Sequence, residues 1–257
     1  MKPRRPSRVI LAVALAAAVV FAATRGRTGS AAAAPDASGL DTADVTRVEI
    51  TGDSSSLKLT TAADMPYRAV AAGRRSGWFS RWYSSWFFED CPSSTDMRIA
   101  GSTLLVDVRP SAWSSHVWSS PSWFGLSDCV NDIRINLPKE GTVAITQDAL
   151  QARLSGDYAA ITLAARAADV ALDGHATAID LRGAAMRAHI AFDVIRRDET
   201  IAIAVQSLAA DLSFGKAAPI SYTVAAKAAL VDSALPNTPG AKPSVTIEAD
   251  YVHATIR

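Results

Sequence analysis

One branched aliphatic residue recurs every nine positions through the middle of this chain. The series consists of Ile145, Leu154, Leu163, Leu172, Leu181 and Ile190. A helix turns by about 100° per residue, so nine residues rotate it by about two and a half turns and the series would alternate between opposite faces. No apolar stripe would form, although the alanines and arginines of the segment favour helix locally. The series therefore predicts strand–turn units that stack on one another, rather than a helical hairpin.

Two further positions repeat with the same period. Apolar residues precede the series by two places, at Val143, Ala152, Ile161, Val170, Ile179 and Ala188. Glycine follows it by two places at Gly156, Gly174 and Gly183. Two inward side chains two residues apart fit a pleated strand, and glycine supplies the left-handed residue of a turn.

Period-two alternation predicts strands on both sides of this region. These strands fall at 46–52, 55–61, 98–109, 132–141, 200–208, 219–230 and 244–256. Residues 235–243 read as a loop. The predicted fold is all-β: a single-domain parallel β-solenoid over residues 44–257, with irregular strands that cap the regular coils.

The N-terminus has the form of an export signal. Lys2, Arg4, Arg5 and Arg8 precede fifteen uncharged residues at 9–23. That run fits a signal peptide and is short for a membrane span, so cleavage is favoured over retention as an inner-membrane anchor. We expect residues 1–34 to be a signal or anchor helix with its linker, and residues 35–43 to be linker. The rest of the chain is expected in the periplasm or at the cell surface.

Charge and motifs exclude several classes of function. The formal net charge of +1 lacks the basic excess that nucleic-acid binding needs. The chain has no nucleophile elbow, zinc-protease motif, P-loop or dinucleotide-binding loop. We therefore expect neither a catalytic residue nor a cofactor.

All six tryptophans lie in two serine-rich pieces, at 77–91 and 113–129, within a predicted insertion at 74–130. The candidate aromatic platform is Trp78, Trp82, Trp86, Trp113, Trp118 and Trp123, with Arg81 beside it. The indoles could pack on each other and cap the open end of the coils. Alternatively, they could bind a glycan or an envelope protein, or contact the membrane surface. Capping is the favoured interpretation.

The only two cysteines, Cys91 and Cys129, each end one of these pieces. In an exported chain they predict one disulfide at the base of the insertion, with two free thiols as the alternative. Metal binding by the pair is not expected, because no further ligands stand at a usual spacing.

The scattered titratable residues predict no site. The histidines are His116, His175, His189 and His253. His175 follows Gly174 in a predicted turn, which favours a solvated side chain. The aspartates Asp157, Asp169, Asp173 and Asp180 lack the paired glycines of calcium-binding nonapeptide repeats, so we interpret them as turn residues facing solvent.

The order of these elements resembles a known family. TRVEITGDSSSLKL, TLLVDV, IRINLP, LSGDYAAITL and LDGHATAIDL are similar to segments of the bacterial "putative adhesin" domains and of the GIN-type adhesin head domain. The resemblance covers roughly residues 44–215. It implies a right-handed parallel β-solenoid, an envelope location and no assigned catalytic residues.

Together these observations predict an exported, non-enzymatic, adhesin-like protein that presents a binding or assembly surface. The alternative class is an enzyme or glycan-binding module acting on envelope polysaccharide. Convergence of Asp157, Asp173 and Asp180 beside the tryptophans would favour the enzyme.

Overall fold

β-Strands make up all the regular secondary structure that this computed structural model describes. It describes residues 39–76, 90–91, 93–109, 128–196, 198–215 and 219–257, without the side chains of 74–76, 90–91 and 128–129. The strands are β1 Leu40–Asp41, β2 Arg47–Thr60, β3 Arg68–Ser76, β4 Asp90–Cys91, β5 Thr95–Ala100, β6 Thr103–Val108, β7 Asp128–Asn136, β8 Gly141–Phe192, β9 Thr200–Phe214, β10 Ser221–Ser233 and β11 Ser244–Ile256. For these residues the all-β prediction is confirmed and the helical hairpin is wrong.

The strands form a mostly parallel sheet. β2 pairs with the start of β8, the end of β8 pairs with β9, and β9, β11 and β10 follow in that order, all parallel. The last strand of the chain, β11, therefore lies between β9 and β10. We call each layer of this stack a level.

Each level consists of two legs joined at a corner. In the first level of β8, Val143 and Ile145 point inward on the first leg, and Leu150 and Leu154 point inward on the second. Between the legs, Asp148 and Ala149 are both exposed, so the inward–outward alternation restarts there. The pairing registers skip one residue at this corner, since Gly52 is opposite Gln147 and Ser54 opposite Ala149.

Consecutive levels of β8 are displaced by eighteen residues. A Cβ atom placed on Gly174 would lie 2.3 Å from the carbonyl oxygen of Gly156. At the corner, Nη2 of Arg166 lies 3.5 Å from Oδ2 of Asp148. Both pairs join residues eighteen positions apart, so one level takes eighteen residues of chain.

This spacing corrects the nine-residue unit predicted from the sequence. The series marks half a level, because the two legs are nearly equal in length. Its members are all buried and divide into Ile145, Leu163 and Leu181 on first legs and Leu154, Leu172 and Ile190 on second legs. The aliphatic column that the sequence suggested is therefore two columns facing one core, in which each buried Leu or Ile stabilises the fold by about 1.5–3 kcal/mol.

The turn glycines behave as predicted at two of three positions. Gly156 and Gly174 have φ angles of 104° and 137°, in the region that favours glycine. Gly183 has no positive φ. A Cβ there would lie 2.0 Å from the carbonyl oxygen of Ala165, so close approach between levels explains this glycine.

The two ends of the stack differ. Beside β2, β6 continues the first leg and β7 the second, both parallel. Antiparallel strands then follow, β5 on β6 and β3 on β7, with β1 and β4 flanking β3. The sequence predicted irregular capping strands on both sides of the coils; antiparallel strands flank the stack at this end, and a capping role for them stays a prediction. At the other end the last strand is β10, whose residues are mostly exposed.

The predicted domain boundaries stay a prediction, but the structure describes the strands near them. Gly39–Arg257 forms one compact unit, and β1 lies within the predicted linker at 35–43. β5 and β6 lie within the predicted insertion at 74–130 but belong to the sheet. The predicted signal or anchor helix lies outside the described residues. The handedness of the coils stays a prediction.

Candidate functional site

The predicted aromatic platform cannot be placed in this structure. Its seven residues, Trp78, Arg81, Trp82, Trp86, Trp113, Trp118 and Trp123, all lie outside the described residues. The platform therefore stays a prediction, as do the capping, glycan, protein and membrane interpretations of it.

The predicted disulfide is not supported by the described part of the chain. The backbones of Cys91 and Cys129 lie on β4 and β7, which pair with β3 opposite Gly73 and Arg75. The side chains of both cysteines are outside the described residues. The pairing stays a prediction.

A shallow apolar trough of about 1030 Å³ runs along the corners of the stack. It extends through every level from β2 to β10. Its floor includes the alanines Ala149, Ala167 and Ala185, which stand eighteen residues apart, and the largely buried side chains of Leu150 and Met186. This alanine column was visible in the sequence, but only the eighteen-residue period identifies it.

The trough has a charged margin and a large apolar end. Oppositely charged corner residues of neighbouring levels pair along it, Arg166 with Asp148 at 3.5 Å and Lys227 with Asp250 at 2.8 Å. At the β10 end the trough is bounded by Tyr251 and Leu230, which are 62% and 64% exposed. Such large exposed apolar side chains at one place are typical of a contact surface.

A second, polar cleft of about 580 Å³ lies at the turns that connect successive levels. Its lining includes Asp157, Asp173, Lys139 and Arg196. The Asp157 carboxylate lies 3.6 Å from Nζ of Lys139 and 3.3 Å from Nη2 of Arg196. Asp157 thus forms ion pairs with two basic side chains from different parts of the chain.

The aspartates that would mark a polysaccharide-active site do not converge. Asp157 and Asp173 line the polar cleft, whereas Asp180 does not. Asp180 instead accepts two hydrogen bonds from Arg182, at 2.9 and 2.8 Å. Asp169 lies in the wall of the trough. The interpretation of all four as turn residues is therefore wrong for Asp169 and Asp180, which lie on legs.

His175 corrects the prediction of a solvated turn residue. The side chain is 2% exposed, and its ring lies 5.7 Å from that of Phe192. Its Nε2 lies 3.1 Å from Oε1 of Glu199, which is fully buried. Glu199 lies in the connection after β8, so the sequence pattern around Gly174 could not reveal that His175 has a buried partner.

Glu199 also organises its own connection. Oε1 accepts a hydrogen bond from the backbone N–H of Arg196, and Oε2 accepts one from that of Asp198 at 3.1 Å. His175, Asp198 and Glu199 bring potential metal-ligand atoms within 4.8 Å of one another. Because the carboxylate oxygens already accept backbone hydrogen bonds, we assign this cluster a structural role.

The remaining histidines have separate surroundings. Nδ1 of His189 lies 3.4 Å from Oδ2 of Asp211, and both side chains are partly exposed. His253 lines the trough. His116 is outside the described residues. Among the residues that are described, no helix is long and apolar enough to cross a membrane.

Comparison with known proteins assigns no family to the chain. No family model matches it, and no curated protein matches it. A crystal structure of a "putative cell adhesion protein" from Clostridium sporogenes ATCC 15579 is similar over 84% of this chain and 92% of that one, at 7% identity and a TM-score of 0.42. A "putative adhesin" from Bacteroides fragilis NCTC 9343 is similar over 84% and 93%, at 10% identity and a TM-score of 0.27. At these TM-scores the two structural similarities support no conclusion about the function of this chain.

Proposed function

We propose that this chain is an exported, non-enzymatic, adhesin-like protein of the bacterial envelope that binds a protein partner along the corner trough. The observation that carries the proposal is the continuity of the trough over every level from β2 to β10. A long apolar channel of small residues fits an amphipathic segment of another protein, whose apolar side chains fill it.

The chemistry of the trough favours a protein over the other partners considered from the sequence. Gln151, Asp169, Arg187 and His253 are among the residues that line it, but most of the lining surface is apolar, which fits apolar side chains better than the hydroxyls of a glycan. A membrane-surface contact needs apolar side chains that project into the headgroup layer, and the large exposed ones, Leu230 and Tyr251, are confined to the β10 end of the trough. The paired charges at its margin, such as Arg166 with Asp148, suit the polar face of an amphipathic segment.

The positions of the aspartates give less support to the alternative, an enzyme that acts on envelope polysaccharide. A glycosidase needs two carboxyl groups facing one substrate, one of them protonated. Asp157 and Asp173 share the polar cleft, but the Asp157 carboxylate is engaged in ion pairs with Lys139 and Arg196, and Asp180 does not line the cleft. We therefore place binding in the trough and assign no reaction to the cleft.

Co-sedimentation of the full-length chain with envelope fragments tests the proposal. We expect binding to intact fragments, loss of binding after protease digestion of the fragments, and no binding to lipid vesicles or to purified envelope glycan. Ala167→Arg places a charge in the trough and should abolish binding. Thr162→Arg, an exposed position on a first leg outside the trough, is the matched control and should bind normally.

Three results would overturn the proposal. These are equal binding to protease-treated fragments, unchanged binding by Ala167→Arg, and failure of the wild-type chain to bind any of the four probes.

A further inference from the structure

The outer edge of β10 has no strand partner along most of its length within the described residues. β10 ends the strand order and pairs on one side only, with β11. The connection after β10 covers its beginning: the Asn237 side chain accepts from the backbone N–H of Tyr222 at 3.0 Å and donates to the Tyr222 carbonyl at 2.9 Å. Beyond Tyr222, no comparable side chain or strand is found among these residues. An exposed edge of this length is a template for strand addition.

The core is also incompletely covered at this end. In register with β11, Val224, Ala229 and Val231 of β10 lie on the inward-facing columns, opposite Ile247, Val252 and Ala254. Those three partners are buried, whereas Val224 and Val231 are only partly buried and Ala229 is exposed. An additional level on β10 would cover them.

From this edge we infer that two copies of the chain associate end to end by antiparallel pairing of their β10 second legs, with Leu230 on the twofold axis. A twofold dimer requires the same surface on both copies, and antiparallel pairing of one strand with itself meets that condition. The inference goes beyond the proposed function, since it needs no envelope partner.

The side chains of β10 fit this register. Leu230 is 64% exposed and would meet its own copy across the axis. Ala229 would lie opposite Val231 of the partner subunit, so that inward residues face inward residues. Asp232 would lie opposite Ala228 of the partner subunit, beside the corner where the partner's Lys227 stands. Lys227 also pairs with Asp250 of its own chain at 2.8 Å, so Asp232 of the other copy would join an existing ion pair.

The arrangement has a consequence for the trough. Leu230 forms part of its wall at the β10 end. Antiparallel pairing through Leu230 would therefore place the ends of two troughs beside each other, and the dimer would present a contact surface about twice as long.

Analytical ultracentrifugation of the full-length chain without any partner tests the inference. Wild type should show a concentration-dependent monomer–dimer equilibrium. Leu230→Arg places like charges on the axis and should raise the dimer Kd by about tenfold or more. Val194→Arg is the matched control, because Val194 is similarly exposed at 59% but lines the polar cleft rather than the β10 edge, and it should leave the Kd unchanged.

Two further variants test the register itself. Leu230→Cys should form an intermolecular disulfide under mild oxidation, because residues on the axis of an antiparallel pair have Cα atoms about 4.5–5.5 Å apart. The wild-type chain, oxidised alongside, controls for Cys91 and Cys129. Asp232→Lys should weaken the dimer, because it places a cation near the partner's Lys227.

A wild-type chain that stays monomeric at every concentration would overturn the inference, as would equal effects of Leu230→Arg and Val194→Arg. Absence of the Leu230→Cys cross-link in a chain that does dimerise would overturn the register. Ala167→Arg should dimerise normally, so failure of this inference and failure of the trough proposal are distinguishable.

Discussion

Nε2 of His175 and Oε1 of Glu199 lie 3.1 Å apart, and neither side chain has more than 2% exposure. Besides pairing with His175, the Glu199 carboxylate accepts hydrogen bonds from the backbone N–H groups of Arg196 and Asp198. The pair joins the turn after the second level of β8 to the connection before β9. It therefore ties consecutive levels together by polar contacts inside an otherwise apolar region.

Removal of the carboxylate should destabilise the fold strongly. Glu199→Ala leaves His175 and the Arg196 and Asp198 N–H groups without this acceptor, and we expect a loss of roughly 3–5 kcal/mol in the free energy of unfolding. Urea denaturation followed by circular dichroism measures it. Glu248→Ala, at an exposed position, should change stability by less than about 0.5 kcal/mol. Equal stability of the two variants would contradict the role given to the buried pair.

The glycine at the turn should not tolerate a side chain. Gly174→Ala brings a methyl group within 2.3 Å of the Gly156 carbonyl oxygen at a φ of 137°, and should cost about 3 kcal/mol or more. Gly101→Ala separates the cost of the positive φ from the cost of the steric clash. Gly101 has a φ of 61°, but an added Cβ would meet no other atom. That variant should cost only about 1–2 kcal/mol. Thermal unfolding compares them, and a smaller loss at Gly174 than at Gly101 would refute the close stacking of levels.

Stability should fall at alkaline pH through Tyr158. Burial raises the pKa of Tyr158 above that of a free tyrosine, about 10. The unfolded chain therefore releases this proton first, so the stabilisation is complete below about pH 10 and is lost as the pH rises towards the pKa of the folded state, by at most about 1.4 kcal/mol per pH unit.

Tyr158→Phe isolates this effect, because phenylalanine cannot ionise. The variant should lose less stability between neutral and alkaline pH than wild type in parallel urea titrations. Tyr251→Phe, at an exposed tyrosine, should follow the wild-type curve. Identical pH dependence of Tyr158→Phe and wild type would argue against the burial of that hydroxyl.

The strands were predictable because inward positions repeat the same residue types. Ile145 and Leu163 face the core from the first legs of successive levels, and both are buried. The same position in each level needs an aliphatic residue, and this is why these residues recur in the sequence. The length of a level was not predictable. The two legs are nearly equal in length and composition, so a nine-residue unit and an eighteen-residue level give the same pattern of aliphatics.

The candidate sites were predictable to a smaller extent. The trough depends on Ala149, Ala167 and Ala185, and alanine matches almost any apolar pattern in this chain. The burial of His175 depends on Glu199, which is distant in sequence and stands among polar residues that read as a surface connection. Such contacts come from the stacking of levels rather than from local periodicity.

Because each level is a repeat of eighteen residues, the number of levels can change without changing the strands at the two ends of the stack. An in-frame duplication of one level would add about 4.8 Å between the antiparallel cap and β10 and leave both unaltered. The number of levels therefore sets the distance between the two ends independently of the residues at those ends.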